Sequence, residues 1–241
     1  MPSILSVRRL HHCYADGTKA LNGIDFDLGA GECVALLGAN GSGKTTFVLR
    51  LNGLIESEGQ VPEEAAIEVC GVPLTRETLA QVRTKIGIVF QDSDEQLFMP
   101  TVLEDVAFGP ANLGLSPADA AARAKQMLER VGMSAALAKA PYHLSAGEKR
   151  RVAIAGVLAM EPEILVLDEP TTFLDPPGRR ELAKLLTSLH QAKILVTHDI
   201  PFARELASRA VFFEHGRVAG EGTVDEITRR FDWDSGFRQS T

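Results

Sequence analysis

Cys33-Val34-Ala35-Leu36-Leu37-Gly38-Ala39-Asn40-Gly41-Ser42-Gly43-Lys44-Thr45-Thr46 is the stretch on which the fold turns. Its first five residues are apolar without a break, the pattern of a strand buried on both faces. Gly38 to Thr45 then fits G-x-x-x-x-G-K-[ST] in full, and an apolar helical run to Leu51 follows. Strand, glycine-rich loop and helix are the context that this motif requires. Glycines allow backbone N–H groups to wrap a phosphate, and the helix N-terminus adds a positive dipole end. Lys44 reaches outer phosphates and Thr45 offers a hydroxyl to Mg²⁺. A glycine-rich turn with a chance lysine is the plain alternative, and the flanking strand and helix argue against it. The motif implies a nucleoside triphosphate without fixing the reaction.

Ile164-Leu165-Val166-Leu167-Asp168-Glu169 supplies the complement. Four apolar residues predict a central strand, with Asp168 at its carboxyl end able to hold a Mg²⁺ shell. Glu169, one residue on, is placed to orient and deprotonate an attacking water. A second acid directly after the first favours hydrolysis over transfer. Leu144-Ser145-Ala146-Gly147-Glu148 reads by itself as a capping box, Ser145 as N-cap and Glu148 three residues later, ahead of an apolar helix.

The remaining chain alternates strands and helices, which predicts a parallel sheet with helices on its faces. Ile24, Phe26 and Leu28 alternate with Asp25 and Asp27 as in a half-buried strand. Further strands are expected at Ile67 to Cys70, Ile86 to Phe90 and Ile194 to Thr197, and a closing hairpin at Ala210 to Phe213 and Arg217 to Ala219 around His215-Gly216. Residues from about 102 to 160 read as mostly helical. One helix there starts at Ser116-Pro117-Ala118-Asp119 and runs to Val131. Other helices are expected over Arg180 to Gln191, with Leu182, Leu185, Leu186 and Leu189 on one stripe, and near Phe202 to Ser208. The tail after Phe231 reads as polar and mobile.

Composition narrows the function classes. With 241 residues the chain is long enough for one large α/β domain, and 45% apolar content supports a full core. A net charge of −7 argues against a nucleic-acid binder. Cys13, Cys33 and Cys70 form no C-x-x-C pair, so neither a zinc site nor a disulfide framework is expected. No signal peptide and no run of the roughly 20 apolar residues that a membrane span needs is visible.

In order along the chain, these motifs resemble those of ABC ATPases. Leu144 to Glu148 resembles the LSGGQ signature, Leu174-Asp175 the D-loop, His198 the switch histidine and Gln91 the Q-loop glutamine. Tyr14 resembles the aromatic that stacks on adenine. The resemblance implies a P-loop NTPase fold of the ABC nucleotide-binding type: a RecA-like parallel sheet core, an N-terminal antiparallel β subdomain and a small α-helical subdomain. Residues 1–90 and 161–241 would form the catalytic core with the β subdomain, and about 91–160 the helical subdomain. It implies ATP and Mg²⁺ as ligands, with Thr45, Gln91 and Asp168 toward the metal. It also implies a head-to-tail homodimer, in which Ser145, Ala146, Gly147 and Glu148 of one copy face the γ-phosphate of the other. Two positions depart from the pattern: Ala146 replaces the usual first glycine and Glu148 the usual glutamine. Glu148 brings negative charge toward a triphosphate, unless Lys149, Arg150 or Arg151 pairs with it.

The stretch Gln91 to Leu115 is similar to the Q-loop region of ATPases of energy-coupling factor importers, which carry transition metals such as cobalt or nickel, or vitamins such as biotin. That resemblance implies a peripheral protein at the cytoplasmic face of the membrane. Its partners would be a transmembrane coupling protein and a substrate-binding membrane protein, with Asp94 to Met99 near the groove that receives the former. The ATPase of another ABC transporter class, and a soluble ABC ATPase, remain open at this point. No residue distinguishes the cargo.

Overall fold

A computed structural model of the chain describes residues 3–56 and 66–233. The N-terminal segment pairs β1 (Ser3–Cys13) with β2 (Lys19–Gly29) as antiparallel neighbours. The apolar run already quoted is β3 (Cys33–Leu37), buried throughout, and it feeds the loop into α1 (Lys44–Leu51). Next come β4 (Ala66–Val69), β5 (Val72–Pro73), α2 (Leu79–Lys85) and β6 (Ile86–Val89). The helical stretch holds α3 (Val102–Asn112), α4 (Pro117–Arg130) and α5 (Ala146–Leu158). The chain then runs through β7 (Ile164–Asp168), α6 (Pro176–Ser188), β8 (Ala192–Val196), α7 (Ile200–Leu206), β9 (Arg209–Glu214), β10 (Arg217–Gly222) and α8 (Val224–Arg230).

Two sheets result. One runs β2-β1-β4-β5 and is antiparallel; the other runs β10-β9-β3-β8-β7-β6 and is parallel except for β10 at its edge. Side chains alternate across a strand, and here the alternation sorts them into two cores. Val34, Leu36, Val166 and Ile194 face Phe47 and Leu51 of α1 and the antiparallel sheet. Ala35, Leu37, Leu165 and Leu195 face the helices of the other side. Because β3, β6, β7 and β8 are parallel, their carboxyl ends lie along one edge. That edge carries Gly38, Gln91, Asp168-Glu169 and His198, the place where open α/β sheets bind ligands.

Several boundaries differ from expectation for local reasons. α6 begins at Pro176, not Arg180, since Asp175 caps it by accepting from the Gly178 N–H at 2.9 Å. It ends at Ser188; Leu189 is buried but extended, and Gln191 is already outside the helix. α7 likewise starts early, at Ile200, capped by Asp199. α2, β5 and α8 are additions to the sequence reading. The β9–β10 turn has positive φ at His215 (49°) and Gly216 (72°), the conformation that a two-residue hairpin needs. The reading of a mobile tail after Phe231 needs correction at its start. Trp233 donates its backbone N–H to Thr228 O at 2.9 Å and packs against the core, while residues 234–241 lie outside the described residues.

Candidate functional site

The phosphate loop is shaped by close backbone approach. Gly38 has φ 138°, and a Cβ there would lie 2.2 Å from the Phe213 carbonyl. Gly43 has φ 107°, and a Cβ there would meet Ala20 O at 2.6 Å. Only glycine fits either position. α1 starts with no side-chain cap, whereas α3 to α8 each carry one. Its first N–H groups and positive dipole end are thus directed at the loop. Lys44 is buried and donates from Nζ to Gly38 O (2.7 Å) and Ala39 O (3.0 Å). Burial lowers its pKa, opposed by the charges of Glu169 and Asp168.

A cavity of about 810 Å³ gathers Tyr14, Asn40, Gly41, Gly43, Lys44, Thr45, Thr46, Gln91, Asp168, Glu169 and His198. Tyr14 is exposed at its mouth, its hydroxyl 2.8 Å from Thr46 Oγ1. Gly38 and Ser42 belong to the loop but do not line the cavity, and Ser42 Oγ lies 3.5 Å from Lys44 Nζ. Burial raises the pKa of Asp168, against the pull of Lys44, Thr45 and Arg150. Glu169 takes a left-handed backbone, φ 43°, and its N–H donates to Val196 O at 2.8 Å. Burial pushes its carboxyl up to about 7, with Asp168 adding to the rise. Glu169 Oε1 lies 3.2 Å from His198 Nε2, outside hydrogen-bond geometry, while the His198 N–H donates to Oε2 at 3.3 Å. His198 Nε2 is also 3.2 Å from Asn40 Oδ1. Burial and Lys44 both lower the imidazole pKa, so it is neutral near pH 7. Such a carboxyl, poised between acid and base near neutrality beside a neutral imidazole, is suited to proton transfer from water.

The oxygens of Thr45, Gln91 and Asp168 are hard donors that fit Mg²⁺. Among the described residues no group of three or more His, Cys, Asp or Glu gathers to hold a metal. A few oxygens completed by phosphate and water are the usual arrangement for Mg²⁺ on a nucleotide.

Signature and D-loop residues lie outside this cavity. Ser145 caps α5, accepting from the Glu148 N–H at 3.3 Å, and Glu148 Oε2 accepts from the Ser145 N–H at 2.8 Å. That N–H holds the Glu148 carboxyl below its usual range. Of the two alternatives left open for Glu148, direct pairing with one of the three following bases is not the one observed, although the Arg151 charge still acts on its carboxyl. Lys149 bonds Asp94 (2.6 Å), Arg151 bonds Glu181 (2.5 Å), and Arg150 donates to the Phe90 and Gln91 carbonyls (2.5 and 2.6 Å). Ser145 and Ala146 are exposed, with Gly147 and Glu148 half-buried. A Cβ on Gly147 would touch Leu174 at 3.7 Å, so signature and D-loop abut. Leu174 is buried and Asp175 is exposed as the α6 cap.

A groove of about 480 Å³ lies between the segment after Gln91, α3 and α5, lined by Leu97, Phe98, Phe108, Ala153 and Met160 among others. Phe98 and Phe108 are 63% and 43% exposed and meet edge to face at 5.0 Å. Asp94 is tied to Lys149 rather than to the groove, and Met99 is not among its lining residues. Sequence reading missed two neighbours of the site. Arg150 left no signal beyond being one of three consecutive bases. Trp233 left none, and its ring stacks beside His198.

Comparison with known proteins agrees with this geometry. The family model "ABC transporter" matches residues 21–172. A putative ABC transporter ATP-binding protein of Geobacter sulfurreducens is 51% identical over 93% of this chain and 88% of its own length. The energy-coupling factor transporter ATP-binding protein EcfA of Methanosphaera stadtmanae is 46% identical over 94% of this chain and 82% of its own. The solved structure of cbiO1 from Clostridium perfringens, part of the ABC transporter complex cbiONQ, superposes with a TM-score of 0.84 at 39% identity, covering 96% of this chain and 93% of that one. With motifs, fold and relatives in agreement, this chain belongs to the ABC transporter family.

Proposed function

We propose that this chain is the ATP-hydrolysing subunit of an energy-coupling factor importer, working as a head-to-tail pair of identical copies. The observation that carries the reading is one cavity holding Lys44, Thr45, Asp168, Glu169, Gln91 and His198, with Tyr14 at its mouth. Tyr14 would stack on adenine, and the loop from Gly38 to Thr46 would cradle the phosphates. Thr45, Gln91 and Asp168 would hold Mg²⁺, which supplies neutralisation of the phosphate charge that develops during transfer. Glu169 takes a proton from the attacking water, and His198, fixed between Asn40 and Glu169, orients the γ-phosphate end. Ser145 to Glu148 would close the site of the second copy, with Leu174 and Asp175 beside them. The exposure of Ser145, Ala146 and Asp175, and the position of all six residues outside the chain's own cavity, support a role in trans.

Residues 91–160 would act as a helical subdomain that turns against the core. The Phe98–Phe108 groove on it would receive a helix of the transmembrane coupling protein. Resemblance to EcfA, named as an energy-coupling factor transporter ATP-binding protein, and to cbiO1, part of the ABC transporter complex cbiONQ, supports the energy-coupling factor assignment. Import, the cytoplasmic membrane face as its place, and a transition metal or vitamin as cargo are what that assignment would entail. Among the described residues no helix is long and apolar enough to cross a membrane, so the membrane part would come from partners.

The test is Glu169→Gln, which keeps the shape and metal-side oxygens but removes the base. The wild type hydrolyses ATP, and the variant binds ATP with Mg²⁺, does not turn it over, and elutes as a dimer in size-exclusion chromatography. A variant that stays monomeric with ATP bound would refute both the role of Glu169 and the pairing.

A further inference from the structure

We infer that Trp233 is a positioning residue for His198, so that the turn closing α8 sets the angle of the imidazole in the hydrolytic site. The inference rests on the reading of His198 given above. The indole and imidazole rings stack with centroids 6.0 Å apart and 24° between planes. The indole also meets Phe212 edge to face at 5.2 Å, and Phe212 stacks flat on Phe231 at 4.0 Å. An aromatic ladder therefore runs from β9 through the end of α8 to the site. Its backbone is fixed as well. Phe231 N–H donates to Ile227 O at 3.1 Å, Asp232 turns the chain at φ 50°, and Trp233 N–H returns to Thr228 O.

His198 is held by its edge and by its face. The Nε2 edge meets Asn40 and Glu169, each at 3.2 Å. Of these only the Asn40 contact has hydrogen-bond geometry, and it constrains the ring at one atom. The indole constrains its face. The same indole lines a cavity of about 300 Å³ behind the phosphate loop with Asn40, Gly41 and Ser42. Trp233 thus touches the surroundings of both His198 and the loop residue that His198 contacts. An aromatic pair of this kind shifts a rotamer population about 3- to 10-fold.

Trp233 is the one tryptophan of the chain, so indole emission excited selectively over the two tyrosines comes from this position alone. Three variants and one emission comparison test the proposal. Trp233→Ala and Trp233→Leu lower kcat about 3- to 10-fold with the KM for ATP within about two-fold, and Trp233→Phe recovers most of the rate. Leucine keeps apolar packing on Phe212 and loses the flat face, so it remains informative if the alanine variant does not fold. Without nucleotide, His198→Ala changes the emission intensity of the wild-type indole. Full kcat in Trp233→Leu, a loss expressed only in KM, or identical emission with and without His198 would each overturn the proposal. A wild type that hydrolyses no ATP would instead refute the ATPase reading, and the emission comparison would still decide the contact.

Discussion

Glu169 sits in a conformation that few non-glycine residues adopt, φ 43°, with a carboxyl that the fold prefers neutral. Backbone outliers of this sort concentrate where chemistry fixes geometry. The sign of the linkage is definite. The folded-state value, about 7, lies above the ordinary 4.5 because burial penalises the charge. The stability linked to the neutral form is fully present below pH 4.5 and is lost as pH rises through about 7. Glu169→Gln keeps the shape without the charge, so it stabilises the nucleotide-free protein at pH 8 by on the order of 1–3 kcal/mol. Below pH 4.5 the gain disappears. Urea unfolding at the two pH values measures it, and equal stability at pH 8 would mean that the carboxyl is not strained there. As a base Glu169 must be ionised, so kcat/KM rises with pH through an acid limb near 7. Lys44 makes a simpler case. Its ammonium is already aimed into the loop by two carbonyls. Lys44→Ala should lower ATP affinity about 10- to 100-fold by calorimetry, the worth of one charged hydrogen bond, and unchanged affinity would remove Lys44 from the phosphates.

At the level of elements, the start of α5 has one use on view and a second that is proposed. Its capping box is fully formed, so the sequence S-x-x-E is justified by helix stability alone. The proposed second use is separable. Ser145→Asp keeps an N-cap acceptor and favours the helix dipole, so unfolding stability stays within about 0.5 kcal/mol. In the proposed pair it would put a carboxylate opposite the partner's γ-phosphate, and ATP-dependent dimerisation of the Glu169→Gln background should be lost. Ser145→Ala does the reverse: it costs roughly 1 kcal/mol of cap and brings no repulsion. Dimerisation that survives Ser145→Asp would leave capping as the only role. The same helix explains what could be read in advance. β3, β7 and β8 were legible because burial on both faces leaves unbroken apolar runs. α4 was legible because Ser116, Pro117 and Asp119 mark its start. α2 has no side-chain cap and one fully buried residue, Val82, so it left no periodic trace. Arg150 and Trp233 act on Gln91 and His198 across dozens of residues of chain, and no spacing rule encodes such contacts.

Taken whole, the molecule has its cavity at the carboxyl edge of the parallel sheet and its exposed aromatic groove on the helical side. The two are joined by one segment. Arg150 grips the carbonyls of Phe90 and Gln91, Lys149 holds Asp94, and Gln96 reaches the α5 carbonyl of Ala153 at 3.3 Å. Gln91 at one end of that segment and Phe98 at the other therefore shift together with α5. This is a physical route by which nucleotide state could reach a partner in the groove. An apolar patch of Phe98 and Phe108 facing water is costly unless something covers it. Phe98→Glu tests the surface without touching the cavity. ATP affinity and unfolding stability should stay at wild-type values, because Phe98 is mostly exposed and lies outside the nucleotide cavity. Recovery of membrane proteins with the tagged chain from detergent-solubilised membranes should fall at least about ten-fold, the loss expected when a central aromatic anchor is replaced by a charge. Undiminished recovery would move the membrane contact to another face of the molecule and free the groove for a different occupant.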